Sequence, residues 1–354
     1  MVKLRCMGLR AMTVASLVAF SAACGDDVTG PGSSDPFDVQ QSNQDFGAVQ
    51  EAFDANLDVA DDMSFVMPVL DNLGPVARLF ERIEMPSQSV ILSMARTARL
   101  SIESTGTSAS VLPLLPSDVL GVTFEWSDLE SAYVPTERTG APANGLRVIV
   151  YDRTVTPFVE VGFVDITDES DPAADRLHVH MEKAGITRLD YTVEVTQSTS
   201  SVAIAISGFI TDGVERVNFD VSESATQTET GVTVQIGYSL SLEGRPLSVS
   251  FTSTVSFGEF ITAELTATFV NGANTLVLNM SQDAVGALDG TVTWNGELVM
   301  TITGTGDGEP IFLGPDGEEL SLAEVQAIAE MFELVEEGLF FLLANLAFLG
   351  AGLA

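Results

Sequence analysis

The chain has 354 residues, 45% of them hydrophobic, and sets 50 Asp and Glu against 15 Lys and Arg for a formal net charge of -35. So apolar a chain can bury a sizeable core, which excludes a disordered polymer. The charge excludes nucleic acid as a partner, because phosphate binding needs clustered Lys and Arg, and the only lysines are Lys3 and Lys183.

The chain opens with three basic residues, Lys3, Arg5 and Arg10, and an uncharged apolar run from Ala11 to Phe20. That run has the length of a signal-peptide core and is too short to span a bilayer. Ser21, Ala22, Ala23 and Cys24 follow. This stretch resembles the lipobox of bacterial lipoproteins, with Ser21 standing where that pattern commonly has Leu. The resemblance covers residues 1–24. It implies that 1–23 is a lipoprotein signal peptide, that an acyl-bearing group is attached to the Cys24 thiol, and that the protein is lipid-anchored to a membrane of the bacterial cell envelope. Cys6 and Cys24 are the only cysteines. Processing would leave no free thiol, so disulfides, thiolate catalysis and cysteine metal sites are excluded.

Residues 24–42, rich in Gly, Ser, Asp and Pro, read as a flexible tether. A helical N-terminal region is expected over 43–105. Phe46, Val49, Phe53, Leu57 and Ala60 recur at helical spacing with Glu51, Asp54 and Asp58 between them. Val76, Leu79, Phe80 and Ile83 suggest a second helix after Gly74 and Pro75. Arg78, Arg82, Arg96 and Arg99 fall in the same region and are expected to pair with acidic groups of the protein.

Over 106–354 the expectation is an antiparallel β-sheet closed by a C-terminal helix, the whole of 43–354 forming one domain. From about Val119 the apolar period changes to two. Val232, Val234, Ile236, Tyr238, Leu240 and Leu242 alternate with small polar residues, and Leu247, Val249, Phe251, Val255 and Phe257 do the same. Such strands have one buried and one wetted face. Asp212-Gly213, Asn271-Gly272 and Asn295-Gly296 separate strand-like runs and favour hairpin turns. The fold class is therefore mainly β, a large curved antiparallel meander of ten or more strands forming an open, barrel-like sheet. A transmembrane barrel would need aromatic girdles, and only four Tyr and two Trp are present.

Near the end, Ser321 and Glu324 form a capping-box pattern, and Leu322, Val325, Ile328, Phe332 and Val335 make an apolar stripe. Residues 338–354 carry no charge. They read as a core helix covering the apolar face of the sheet, with membrane insertion or lipid capture as alternatives. Phe332, Phe340, Phe341 and Phe348 are the candidates to line a ligand cavity.

Candidate chemistry is sparse. His178, His180 and Glu182 share one face of a strand, an arrangement that suits a transition metal. The plainer reading is an ordinary wetted face. Asp165, Asp168 and Asp171 crowd one short segment with the oxygen density of a calcium site, although the spacing fits no EF-hand, and a solvated acidic loop is the default. No nucleophile elbow, metalloprotease helix or phosphate-binding lysine occurs, so no catalytic residue and no cofactor are assigned. The outline is similar to the open-barrel lipoprotein carriers and chaperones of the bacterial envelope. That similarity implies a lipid or other apolar ligand as partner. The alternative is a non-catalytic surface or scaffold module with a fully packed core.

Overall fold

The structure is a computed structural model that describes residues 51, 56–71, 114–305, 310–321 and 325. The expected signal peptide and tether, Cys24, most of the expected N-terminal helical region and the C-terminal segment, with Phe332, Phe340, Phe341 and Phe348, lie outside the described residues.

Among the described residues one helix, α1 (Leu57–Asp71), precedes fifteen strands. They are β1 (Val122–Ser127), β2 (Ala132–Thr136), β3 (Gly145–Asp152), β4 (Val159–Asp168), β5 (Asp175–Lys183), β6 (Ile186–Gln197), β7 (Ser201–Thr211), β8 (Arg216–Gln227), β9 (Val232–Leu242), β10 (Leu247–Phe257), β11 (Ile261–Asn271), β12 (Asn274–Gln282), β13 (Leu288–Trp294), β14 (Glu297–Gly304) and β15 (Ile311–Leu313). All belong to one sheet, in which each strand from β4 to β15 pairs with its sequence neighbours. Among the described residues the sheet stays open, with β15 at one edge and β2 at the other.

The meander expected from the alternation is therefore present, with one correction. The sheet is mixed, because β1 pairs parallel with β3 through Val122–Leu146, Thr123–Arg147 and Phe124–Val148. The cause is local: β1 folds into a hairpin with β2 on its outer side, and residues 137–144 carry the chain back to β1's other side. The chain that returns there runs in β1's own direction.

Alternation produces the core. In β5, Leu177, Val179 and Met181 are fully buried, while the residues between them are half-exposed. In β6, Leu189, Tyr191, Val193 and Val195 repeat the pattern on the same face. Each such side chain contributes about 1.5–3 kcal/mol by leaving water. The hairpin turns supply the reversals: Asn295 and Gly296 both have positive φ, 52° and 84°, the combination a two-residue turn needs and Asn-Gly tolerates.

α1 joins this core through Val59, Met63, Val66 and Val69, a stripe at helical spacing. Its acidic residues bind the sheet edgewise. Lys183 Nζ donates to Asp62 at 2.6 Å and to Asp58 at 3.2 Å. Arg188 also reaches Asp58, at 3.0 Å, and Arg153 pairs with Asp61. The Arg153 guanidinium lies 4.5 Å above the Phe65 ring, which packs against Trp126 and Tyr133. Among the described residues no helix is long and apolar enough to cross a membrane.

Candidate functional site

On the wetted face of β4–β6, strand register sets a row of side chains. Arg147, Asp165, His180 and Asp190 stand opposite one another across β3 to β6. Asp190 lies between the two imidazoles: His178 Nε2 is 3.0 Å from Oδ1, and His180 Nδ1 is 2.9 Å from Oδ2. An ionised carboxylate can only accept, so the ring protons sit on Nε2 of His178 and Nδ1 of His180. Burial works to raise the Asp190 carboxyl, but the hydrogen bonds from His180 and His178 outweigh it and hold it below the usual aspartate range. Glu169 lies 3.6 Å from the other nitrogen of His178.

The carboxylate beside the imidazoles is thus Asp190, and Glu182 stands apart, across from Thr187 beyond a bulge at Met181/Glu182. Among the described residues no group of three or more His, Cys, Asp or Glu side chains is placed to hold a metal ion.

The three acidic residues expected to crowd together diverge. Asp165 faces the wetted side and grips Arg147 through two hydrogen bonds of 2.7 Å, with the guanidinium 3.7 Å above the Phe163 ring. Asp168, an odd number of residues further on, points to the opposite face. There its Oδ2 accepts from the backbone of Leu114 at 2.8 Å, and its Oδ1 accepts from Ser170 at 3.0 Å. Asp171 sits in the β4–β5 turn and accepts from Ala173 and Ala174. Each carboxylate is occupied by a separate partner.

The apolar face holds a feature that was not singled out from sequence. In β8 the inward positions run Val217, Phe219, Val221, Glu223 and Ala225. Register places Glu223 between Ile204 of β7 and Ile236 of β9. Ile236 in turn faces Ser253 of β10, which faces Leu265 of β11. A carboxyl and a hydroxyl therefore lie in one otherwise aliphatic row, two strand spacings or roughly 10 Å apart. Glu223 is half-buried, and burial alone pushes its carboxyl up to about 7. Ser253 is 3% exposed and its Oγ finds no hydrogen-bond partner among the described residues. An orphaned buried hydroxyl costs about 1–3 kcal/mol.

This row divides the inner face. On one side is the main core, where Tyr238 and Phe251 stack with centroids 5.4 Å apart. On the other, Ala225 and Val234 form a separate small cluster. Within the row, Ile204, Ile236, Leu265 and Met280 are only half-buried.

Both polar positions were readable. Continuing the alternation of Val217, Phe219 and Val221 reaches Glu223, and Ser253 fills the gap between Phe251 and Val255. Compared with known protein families, with curated proteins and with solved structures, the chain matches none.

Proposed function

We propose that the protein is a lipoprotein of the bacterial cell envelope, anchored by an acyl group on Cys24, whose sheet carries a lipid or other apolar ligand on its inner face. The observation that carries this reading is the incomplete burial of large aliphatic side chains on that face in β7–β12. Ile204, Ile236, Leu265 and Leu278 retain exposure, whereas their counterparts Leu177, Val179 and Val193 in β5 and β6 have none or nearly none. Aliphatic surface of this kind is what a ligand pocket is lined with. In this proposal the helical region 43–105 and the uncharged segment 338–354 cover the rest of the apolar face, with Phe332, Phe340, Phe341 and Phe348 beside the ligand.

The scaffold reading has its own support: Leu276 and Val292, far along the sheet, are 1% and 0% exposed. Two measurements separate the readings. Acyl labelling should mark the protein and be lost in Cys24→Ala. Native purification followed by mass spectrometry should find an apolar molecule bound in near-stoichiometric amount. A protein that is acylated but always free of such a molecule is the scaffold module.

A further inference from the structure

We infer that the row of Glu223, Ile236 and Ser253 on the inner face is the head-group site for an aliphatic amphiphile with a positively charged, hydrogen-bond-donating head, an alkylammonium. This inference rests on the apolar-ligand reading and narrows it to a ligand class.

A carboxylate within an apolar surface stays ionised at little cost only beside a cation or donors, and otherwise takes up a proton. The chain does not supply the cation from its described residues, because each of their Lys and Arg side chains is committed elsewhere. Arg138 pairs with Glu125 and Glu160, Arg147 with Asp165, Arg153 with Asp61, and Arg176 with Glu194. Lys183 pairs with Asp62, Arg188 with Asp58, Arg216 with Glu243, and Arg245 with Glu215. Among the described residues no hydrogen bond or charge opposes the effect of burial on the Glu223 carboxyl.

Ser253 is the second, independent observation. Its hydroxyl is buried, without a partner among the described residues, and on the same face, one strand beyond Ile236. A hydroxyl both donates and accepts, so it is indifferent to the sign of a head group. Glu223 is not indifferent. An ammonium seated over Ile236 would donate to the carboxylate on one side and to Ser253 Oγ on the other. Its alkyl chain would run on past Ser253 along the half-buried Leu265 and Met280. A fatty acid would set a second negative charge beside Glu223, and a fatty alcohol would gain hydrogen bonds without the ionic attraction.

The test is calorimetric titration of the full chain carrying Cys24→Ala, which removes the acyl anchor, with decylammonium, decanol and decanoate below their micelle-forming concentrations at pH 8. Decylammonium should bind at least about tenfold tighter than decanol, with decanoate weakest. Glu223→Gln should erase the amine's advantage to within about twofold while leaving decanol unchanged. Ser253→Ala should weaken the amine and the alcohol together, by roughly two- to tenfold, the range of one neutral hydrogen bond. Three equal affinities, or an amine preference that survives Glu223→Gln, would overturn the site while leaving the apolar-ligand reading intact. Failure of all three to bind would overturn both. If Glu223→Gln instead lowers stability at pH 8 and leaves amine affinity untouched, the carboxyl is paired with an arginine of this chain, and the inference fails.

Discussion

The two halves of the sheet are built by the same alternation and finished differently. In β3–β6 most inner aliphatic residues are sealed, and the wetted face carries the ion pairs Arg147–Asp165 and Arg176–Glu194 and the hydrogen-bonded His178–Asp190–His180 group. α1 locks onto the same half through Lys183, Arg188 and Arg153. In β7–β12 the outer face is mostly Ser and Thr, and the inner face keeps half-exposed aliphatics around a carboxyl and an orphaned hydroxyl. Charge pairing and full burial belong to a frame that holds its shape. Small hydroxyl residues and an unfinished inner face are, on the proposed reading, where an apolar ligand would sit.

Truncation should break this contrast most visibly. Leu177→Ala, at a position with no exposure in β5, should cost about 3–4 kcal/mol in denaturant unfolding. Ile236→Ala, at the half-buried counterpart in β9, should cost about half as much. Equal losses would mean that both halves are packed alike.

Glu223 gives the next effect, and its sign is opposite. The folded state holds this carboxyl at about 7, above the value of an unfolded chain. Below the unfolded value both states are protonated and nothing is lost; between that value and about 7 the unfolded chain gives up its proton while the fold keeps it, so stability falls as pH rises, and above about 7 the loss is complete. Glu223→Gln should therefore stabilise the unliganded protein by about 2–3 kcal/mol at pH 8 and leave it unchanged at pH 4. Comparing the variant with the parent at each pH removes the background set by the net charge.

Within the frame, Asp62→Asn leaves Lys183 part-buried with only the more distant Asp58, and should cost about 2 kcal/mol. Asp190→Asn is expected to do least, about 1 kcal/mol at pH 7 after solvent screening. The Asp190 carboxyl is held below its ordinary range, so its contribution is present above the unfolded value and disappears as pH falls through the folded one. The difference between Asp190→Asn and the parent should accordingly vanish in acid.

The strands were legible because a period of two with one wetted face leaves little choice of partner; β10 spans Leu247–Phe257, the same residues that alternate in sequence. The parallel β1–β3 ladder was not, since three residue pairs after an irregular return leave no periodic trace. Asp190 is an intermediate case. The Ala184-Gly185 turn, with φ of 55° and 78°, would by plain counting set His180 opposite Leu189. The bulge at Met181/Glu182 adds the residue that returns Leu189 to Met181 on the inner face, and so brings Asp190 to His180. Turn and alternation taken together demand that bulge. The acidic cluster misled because proximity in sequence says nothing about face: Asp165 and Asp168 differ by an odd number and part company.

The contrast between a sealed frame and an open half is tested most directly by photolabelling. A decylamine bearing an alkyl diazirine, irradiated with the protein and mapped by peptide mass spectrometry, should mark residues between Ser201 and Gln282, with Ile236, Leu265 and Met280 prominent. Labels concentrated in β3–β6, or spread evenly over both halves, would contradict the account.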